Sequence, residues 1–139
     1  LLPDSQIKDR DMVLAVMAQY SNNILKSVLY FLDEDLRADR KIVLMAVTLD
    51  GLSLEWASPP LKADPEIVLT AIGHHGLALK SAAPHLRCNK DVVLKAVSRS
   101  GWALQYADDA LKADRDVVAA AVAHDPHSIE DASLEIARE

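Results

Sequence analysis

An apolar block recurs along the chain every 25 residues, and a second, shorter apolar pattern follows it each time. The block reads Val-Val-Leu-x-Ala-Val or a close variant, and it begins at positions 42, 67, 92 and 117. The shorter pattern places Leu or Ile three residues before Ala, at Leu54 and Ala57, Leu79 and Ala82, Leu104 and Ala107, and Ile129 and Ala132. Residues three apart share one face of a helix, and the period-two alternation typical of strands is absent. The pattern therefore predicts two helices in each unit.

Polar residues and glycines mark the predicted ends of these helices. Each long helix is expected to begin after an N-cap residue whose side chain accepts a backbone N–H, at Asp39, Asp64, Asn89 and Asp114. Each is expected to end at a glycine with positive φ, at Gly51, Gly76 and Gly101. Prolines at positions 59, 60 and 84 are expected to stop the second helix or to begin a short turn.

Together these units predict an all-α fold, an α-solenoid of stacked two-helix repeats of 25 residues, in a single helical-repeat domain 1–139. The expected units are an irregular first repeat 9–38, regular repeats 39–63, 64–88 and 89–113, and a terminal repeat 114–139. About five extra residues are placed around Tyr30–Asp35, in an acidic, aromatic segment that would protrude or repack and could bind a partner. Pro126 replaces the expected glycine and is interpreted, with Asp125, as the start of the last helix.

Composition narrows the class of protein. The 139 residues are 50% hydrophobic yet include only one Phe, two Trp and three Tyr, which suits helices packed closely through Ala and Val. No apolar run reaches the roughly 18 residues of a membrane-spanning helix, and a net charge of −6 argues against general nucleic-acid binding. A single cysteine excludes an internal disulfide. With one cysteine and no signal-peptide pattern, we expect an intracellular protein, cytoplasmic or organellar after removal of a targeting peptide. The start at Leu1 rather than Met indicates either a piece of a longer protein or a removed targeting segment, and the sequence leaves both open.

The sequence shows no arrangement of side chains that indicates catalysis, a cofactor or a bound metal. His74 and His124 fall two repeats apart, and His85 with Cys88 lacks the second ligand pair of a zinc site. Cys88 occupies a position that holds Ala in other units, so it is interpreted as a small packed residue. The recurring Asp residues are explained as helix caps rather than acid–base catalysts. We therefore predict no catalytic, cofactor-binding or metal site.

Two sets of repeated positions are candidates for binding. A basic residue stands two positions before each cap, at Arg37, Lys62, Arg87 and Lys112, and forms either a solvated row or a strip for an acidic partner. The second set comprises the positions that vary between repeats, because a solenoid keeps its frame constant and presents its varied residues. These positions predict the partner-binding residues Trp56, Trp102, Tyr106, His74, Arg99 and His124. The alternative is that their rings fill gaps between repeats.

The repeated pattern resembles a known family. It reads Asp-x-x-[IV]-Val-Leu-x-Ala-Val, then Gly-x-x-Leu-x-x-Ala, then Leu-Lys-Ala-Asp, and it runs from Asp39 to Asp64, on to Asn89 and on to Asp114, with weaker copies on both sides. In this it is similar to the domain-of-unknown-function 4116 family. The resemblance implies a small helical repeat that occurs in tandem arrays. It carries no assigned reaction, so it transfers no catalytic residues to this chain.

The function expected from these observations is a non-enzymatic helical-repeat scaffold or protein–protein interaction module, either part of a longer array or an accessory subunit of a larger assembly. One alternative is a regulatory or targeting domain attached to an enzyme outside this sequence. Another is a binder of an anionic partner through the basic row. A protein partner is expected, rather than nucleic acid, and the oligomeric state is left open.

Overall fold

The computed structural model describes residues 10–19 and 28–126, which contain helices and no β-strand. Four long α-helices of the regular repeats are α3 (Arg40–Leu49), α5 (Pro65–His74), α7 (Lys90–Arg99) and α9 (Arg115–His124), and α1 (Arg10–Gln19) precedes them. Short α-helices lie between them: α2 (Glu34–Arg37), α4 (Pro59–Lys62), α6 (Pro84–Arg87) and α8 (Asp109–Lys112). Four 3-10 helices complete the fold: Val28–Phe31, Gly51–Trp56, Gly76–Ser81 and Gly101–Tyr106. The all-α helical-repeat fold is therefore confirmed.

The second helix of each repeat is divided into two pieces. A six-residue 3-10 helix is followed by a four-residue α-helix, so that each repeat has three helical segments rather than two. The division has a local cause in two repeats: Pro59 and Pro84 hold the preceding residues, Ser58 and Ala83, in an extended conformation with ψ of 154° and 150°. Asp108 has the same conformation in the third repeat, where its side chain caps α8 by accepting the Ala110 N–H.

The segments form parallel rows that run along the stack. Each long helix from α3 to α9 packs against the next, and the 3-10 helices pack against one another beside them. Backbone hydrogen bonds also join consecutive repeats, from Ser58 N to Arg37 O, Ala83 N to Lys62 O and Asp108 N to Arg87 O, at 2.9 to 3.1 Å. One core runs through the whole stack, and the repeated small and branched residues fill it, as at Ala71, Ile72 and Leu79.

The predicted caps are present at all four long helices. Asp39, Asp64, Asn89 and Asp114 each accept hydrogen bonds from the second and third N–H groups of the following helix, at 2.9 to 3.4 Å. Two N–H groups that helix geometry leaves without partners are thereby satisfied in each repeat.

The role predicted for the glycines is wrong. Neither Gly51 nor Gly76 has a positive φ. Instead, a Cβ on Gly51 would lie 2.2 Å from the carbonyl oxygen of Ala71, and a Cβ on Gly76 would lie 2.5 Å from that of Ala96. These carbonyls belong to the long helix of the next repeat, so glycine is required by close approach between repeats rather than by left-handed backbone.

The position predicted for the extra residues of the first repeat is also wrong. Leu29, Leu32 and Leu36 are buried and stand 25 residues before Leu54, Ala57 and Leu61, so Tyr30–Asp35 keeps the regular spacing. By contrast, α1 begins 30 residues before α3. The additional residues therefore precede Val28. The helix expected after Pro126, with Ile129 and Ala132, lies outside the described residues.

Candidate binding surface

Three large apolar side chains stand exposed at one repeat position. Leu52, Leu77 and Trp102 are the second residues of successive 3-10 helices, and they are 45%, 40% and 38% exposed. A 3-10 helix has three residues per turn, so the residues one before and two after each of them face the core instead. In this way Gly76 and Leu79 are buried while Leu77 is not. We call Leu52, Leu77 and Trp102 the apolar ridge.

A groove lies across the ridge between two repeats. Its volume is about 210 Å³, and it is lined by Leu52, His74, His75, Gly76, Leu77, Arg99 and Ser100. His74 and Arg99 are the last residues of α5 and α7, so one wall comes from helix ends and the other from the start of the 3-10 helices. Two rows of varying positions identified in the sequence therefore meet in one place.

The ionisable side chains that line the groove are basic. The residues that line it include two histidines and an arginine but no carboxylate. Asp50, which contacts one of these histidines, is 6% exposed, accepts the Leu52 N–H at 3.1 Å and lies 3.5 Å from Nδ1 of His75. Basic residues at helix C-termini also complement the helix dipole, worth about 0.3–1 kcal/mol each. That stabilising role accounts for charge at the ends of α5 and α7, but it does not account for the apolar side chains beside it.

The six residues predicted to bind a partner occupy different environments. His74 and Arg99 line the groove, and Trp102 lies on the ridge one repeat further along. Nδ1 of His124 accepts the Gly101 N–H at 3.2 Å, so this histidine holds the 3-10 helix of the preceding repeat. The structure thus brings three of the six to one surface, and their binding role stays a prediction.

Trp56 and Tyr106 are half-buried and pack against the core. The Trp56 ring contacts Tyr30 edge to face, with ring centroids 4.7 Å apart. Tyr106 lines a separate depression with Arg87 and Asp108. Their environment matches the alternative in which rings fill gaps between repeats. Leu52 and Leu77 were not among the predicted binding residues, because their exposure follows from their place in a 3-10 helix, which the sequence did not indicate.

The basic row Arg37, Lys62, Arg87 and Lys112 is half-buried rather than fully solvated. Arg37 donates from Nε to the Leu32 carbonyl at 2.9 Å, and the backbone carbonyls of Arg37, Lys62 and Arg87 accept the hydrogen bonds that join repeats. Nε of Arg87 is buried and has no partner among the described residues. These residues therefore contribute to the contacts between repeats.

A different charged row, not detected in the sequence, links the long helices. The first residue of one long helix pairs with the cap of the next: Arg10 with Asp39, Arg40 with Asp64 at 3.0 Å and also with Glu66, and Lys90 with Asp114 at 3.2 Å and Asp116 at 2.8 Å. Where this position holds Pro65, the next cap is the neutral Asn89. Both charged partners are therefore absent from the same interface, the one between α5 and α7.

These pairs lower the pKa values of the cap carboxyls. Burial raises the pKa of Asp64, but the hydrogen bonds from Arg40 and from two backbone N–H groups outweigh it, so the net pKa lies below its ordinary value. The pKa of Asp39 is lowered in the same way against burial, by Arg10. For Asp114 the hydrogen bond from Lys90 is the largest influence, and the pKa is again lowered.

The environment predicted for Cys88 is wrong. Cys88 is exposed, and its thiol donates to the Pro84 carbonyl at 3.0 Å. It follows the short helix α6, where Ala38 and Ala113 are exposed at the equivalent positions. Small residues stand at this position because it follows a tight helix end, and not because they pack in the core. Within 10–19 and 28–126, no group of three or more His, Cys, Asp or Glu residues is arranged to hold a metal ion.

The fold and the repeated surface define the class of protein as a helical-repeat protein. The chain belongs to the family of a domain of unknown function (DUF4116), whose family model matches residues 9–62, 64–112 and 89–136. No curated protein and no solved structure matches the chain. Across the part of the chain that the structure describes, no helix combines the length and the hydropathy needed to cross a bilayer.

Proposed function

We propose that this chain is a non-enzymatic helical-repeat module that binds a protein partner along the apolar ridge and the groove beside it. The observation that carries the proposal is the repetition of an exposed apolar side chain at Leu52, Leu77 and Trp102. Most other large side chains at the repeated apolar positions are buried, as at Leu54, Leu79 and Leu104. A row of apolar side chains facing solvent along a regular frame is typical of a surface that another molecule covers.

The size of the ridge indicates what it contributes to binding. Fully burying a leucine-sized side chain stabilises a complex by about 1.5–3 kcal/mol, so a residue that is about two-fifths exposed offers roughly 1 kcal/mol. Three such residues offer roughly 3 kcal/mol, less than the cost of about 4–15 kcal/mol for associating two molecules. The ridge is therefore the anchor of a larger contact, which must include the polar groups of the groove.

The dimensions of the groove support a protein partner over a small-molecule substrate. Sites for small molecules occupy about 300–1,000 Å³ and enclose most of the ligand. The groove measures about 210 Å³. A space of this size suits one or two side chains that project from a partner surface.

Site-specific photo-crosslinking tests the proposal. A photoreactive amino acid would replace Leu77 or Trp102 on the ridge, and in matched variants Lys41 or Asp91, which are exposed near the opposite ends of α3 and α7. In extracts of the source cells, we expect one discrete crosslinked protein from the ridge positions and little of it from the control positions.

The same partner would then be tested against Leu77→Asp and Trp102→Asp. We expect at least a tenfold loss of affinity for the double variant, because a carboxylate cannot replace a buried apolar side chain. Equal crosslinking from ridge and control positions, or unchanged affinity of the double variant, would exclude the ridge as the binding surface.

A further inference from the structure

The groove and the ridge together have a chemical character that differs from that of the whole chain. The chain carries a formal net charge of −6. Yet the exposed side chains around the groove are Leu52, Leu77, His74, His75 and Arg99, which are apolar or basic. Asp50, the acid beneath His75, is buried and already accepts a backbone hydrogen bond. An acidic protein with a local basic and apolar surface attracts a segment of opposite charge to that place.

The basic side chains at the ends of the long helices run beside the apolar ridge. His74 and Arg99 lie one repeat apart at the ends of α5 and α7, and Leu52, Leu77 and Trp102 lie one repeat apart on the 3-10 helices. Lys95 adds a further basic group near this end of α5, because its Nζ would lie 3.7 Å from a Cβ on Gly73. A ligand that follows the stack would therefore meet the apolar ridge on one side and the basic side chains of His74 and Arg99 on the other.

The spacing of the repeats fits an extended ligand. Packed helices lie about 8–10 Å apart, and a peptide in the extended polyproline II conformation advances about 3.1 Å per residue with three residues per turn. Every third side chain then faces the same side and meets the next repeat after about 9 Å. A peptide with an apolar side chain at every third position could then place successive apolar groups along Leu52, Leu77 and Trp102. Its intervening carboxylates would face His74 and Arg99, where an arginine can hold a carboxylate with two hydrogen bonds.

We propose that the groove and ridge bind an extended acidic segment of a partner protein, with apolar residues at about every third position and carboxylates between them. This inference rests on the proposed function, since it specifies the chemistry of the partner that the ridge binds. It assigns Leu52, Leu77 and Trp102 to the apolar side chains, and His74 and Arg99 to the carboxylates. Arg99 is the central charged contact, because its planar guanidinium matches a carboxylate with two parallel hydrogen bonds.

Three synthetic nine-residue peptides provide the probe. All three carry Leu at every third position, and the intervening residues are Glu and Asp, Ser and Asn, or Lys and Arg. Binding to the full chain would be measured by fluorescence anisotropy at low ionic strength, and the location would be read from amide chemical shifts of the isotopically labelled chain. We expect the acidic peptide to bind at least tenfold more tightly than the neutral one, and to shift amides at 74–77 and 99–102.

Charge reversal locates the contact. We expect Arg99→Glu to remove the preference for the acidic peptide, with Arg99→Ser intermediate. Lys41→Glu makes the same change in net charge away from the groove and should leave the preference unchanged. Thermal unfolding of each variant checks that the helices remain folded.

The outcomes separate this inference from the proposed function. Equal affinity for the acidic and neutral peptides would overturn the acidic preference and leave the ridge as a binding surface. An acidic preference that survives Arg99→Glu, or an acidic peptide that does not bind, would overturn the assignment of the groove. The proposed function is decided separately, by the crosslinking comparison between ridge and control positions.

Discussion

Gly51 and Gly76 occupy the closest contacts between neighbouring repeats. In each case a methyl group would collide with a backbone carbonyl of the next long helix, at 2.2 or 2.5 Å. Backbone cannot rotate out of the way as a side chain can, so an added Cβ would separate the repeats. The sequence identified these glycines by their 25-residue spacing but not their role, because the carbonyl that they face is distant in the chain. The sequence suggested a local reason for glycine, a positive φ, whereas the actual reason is a tertiary contact with the next repeat.

A matched pair of glycine variants tests this account at the residue scale. We expect Gly76→Ala to lower the free energy of unfolding by about 1–3 kcal/mol, because its Cβ would meet the Ala96 carbonyl. In contrast, a Cβ on Gly73 would meet only the Lys95 side chain at 3.7 Å, near the end of α5. Gly73→Ala should therefore raise that free energy by about 0.5–1 kcal/mol. Urea unfolding measures both, and a neutral Gly76→Ala would refute the close-contact explanation.

At the scale of the helices, local chemistry predicted much of the structure. The N-caps Asp39, Asp64, Asn89 and Asp114 could be identified because capping depends on the residue and its immediate neighbours. The division of the second helix could not, because Pro59 and Pro84 were expected to stop that helix or to begin a short turn, and not to start a further short helix. The ion pairs between repeats were also missed, since they join residues 24 to 29 positions apart.

The missing ion pair at Pro65 and Asn89 can be restored by substitution. In Pro65→Arg with Asn89→Asp, the new arginine would start α5 as Arg40 starts α3, and the new carboxylate would cap α7. We expect a favourable coupling of about 0.2–1 kcal/mol in a double-mutant cycle, typical of an exposed pair. The single Pro65→Arg change should destabilise slightly, because proline is preorganised for the first helical turn. A coupling that is zero at low salt would contradict the role given to this row.

The cap carboxyls predict an acid-sensitive fold. The pKa values of Asp39, Asp64 and Asp114 lie below their ordinary value, about 3.9 in the unfolded chain, so the folded state binds their protons less tightly. Their pairing therefore stabilises the fold above about pH 4, and this stabilisation is lost as the pH falls through the folded pKa values.

Melting curves between pH 6 and pH 2 measure this effect. We expect the melting temperature to fall on acidification, and to fall less in Asp64→Asn, which keeps the cap but does not titrate. Glu55→Gln is the control, because Glu55 is exposed and makes no ion pair with the described residues. If Asp64→Asn and Glu55→Gln change the acid response equally, the lowered pKa values do not govern it.

At the scale of the whole molecule, the apolar core residues are repeated from unit to unit, while the exposed residues vary; we call the repeated core the frame. The frame could be predicted because the repeated apolar positions recur at a fixed period. The surface was predicted in part: His74, Arg99 and Trp102 lie on it, while Trp56 and Tyr106 pack against the core. The distinction depends on which residues of a 3-10 turn face inward, and the sequence alone did not indicate that this segment is a 3-10 helix rather than an α-helix.

Two leucines on the same 3-10 helix test the separation of frame from surface. Leu77 is 40% exposed and Leu79 is fully buried. We expect Leu77→Asp to change the free energy of unfolding by less than about 0.5 kcal/mol, and Leu79→Asp to unfold the chain, because it buries an unpaired carboxylate. Circular dichroism with urea unfolding compares them. Similar losses for both variants would mean that Leu77 belongs to the core.

The most direct test of the central claim is hydrogen exchange of the chain in complex with the partner that crosslinks to the ridge. If the ridge and groove are the binding surface, amides at 74–77 and 99–102 will exchange more slowly in the complex than in the free chain, while those at the starts of α3 and α7 will be unchanged. Slower exchange at the starts of α3 and α7, with no change at 74–77 and 99–102, would contradict the account.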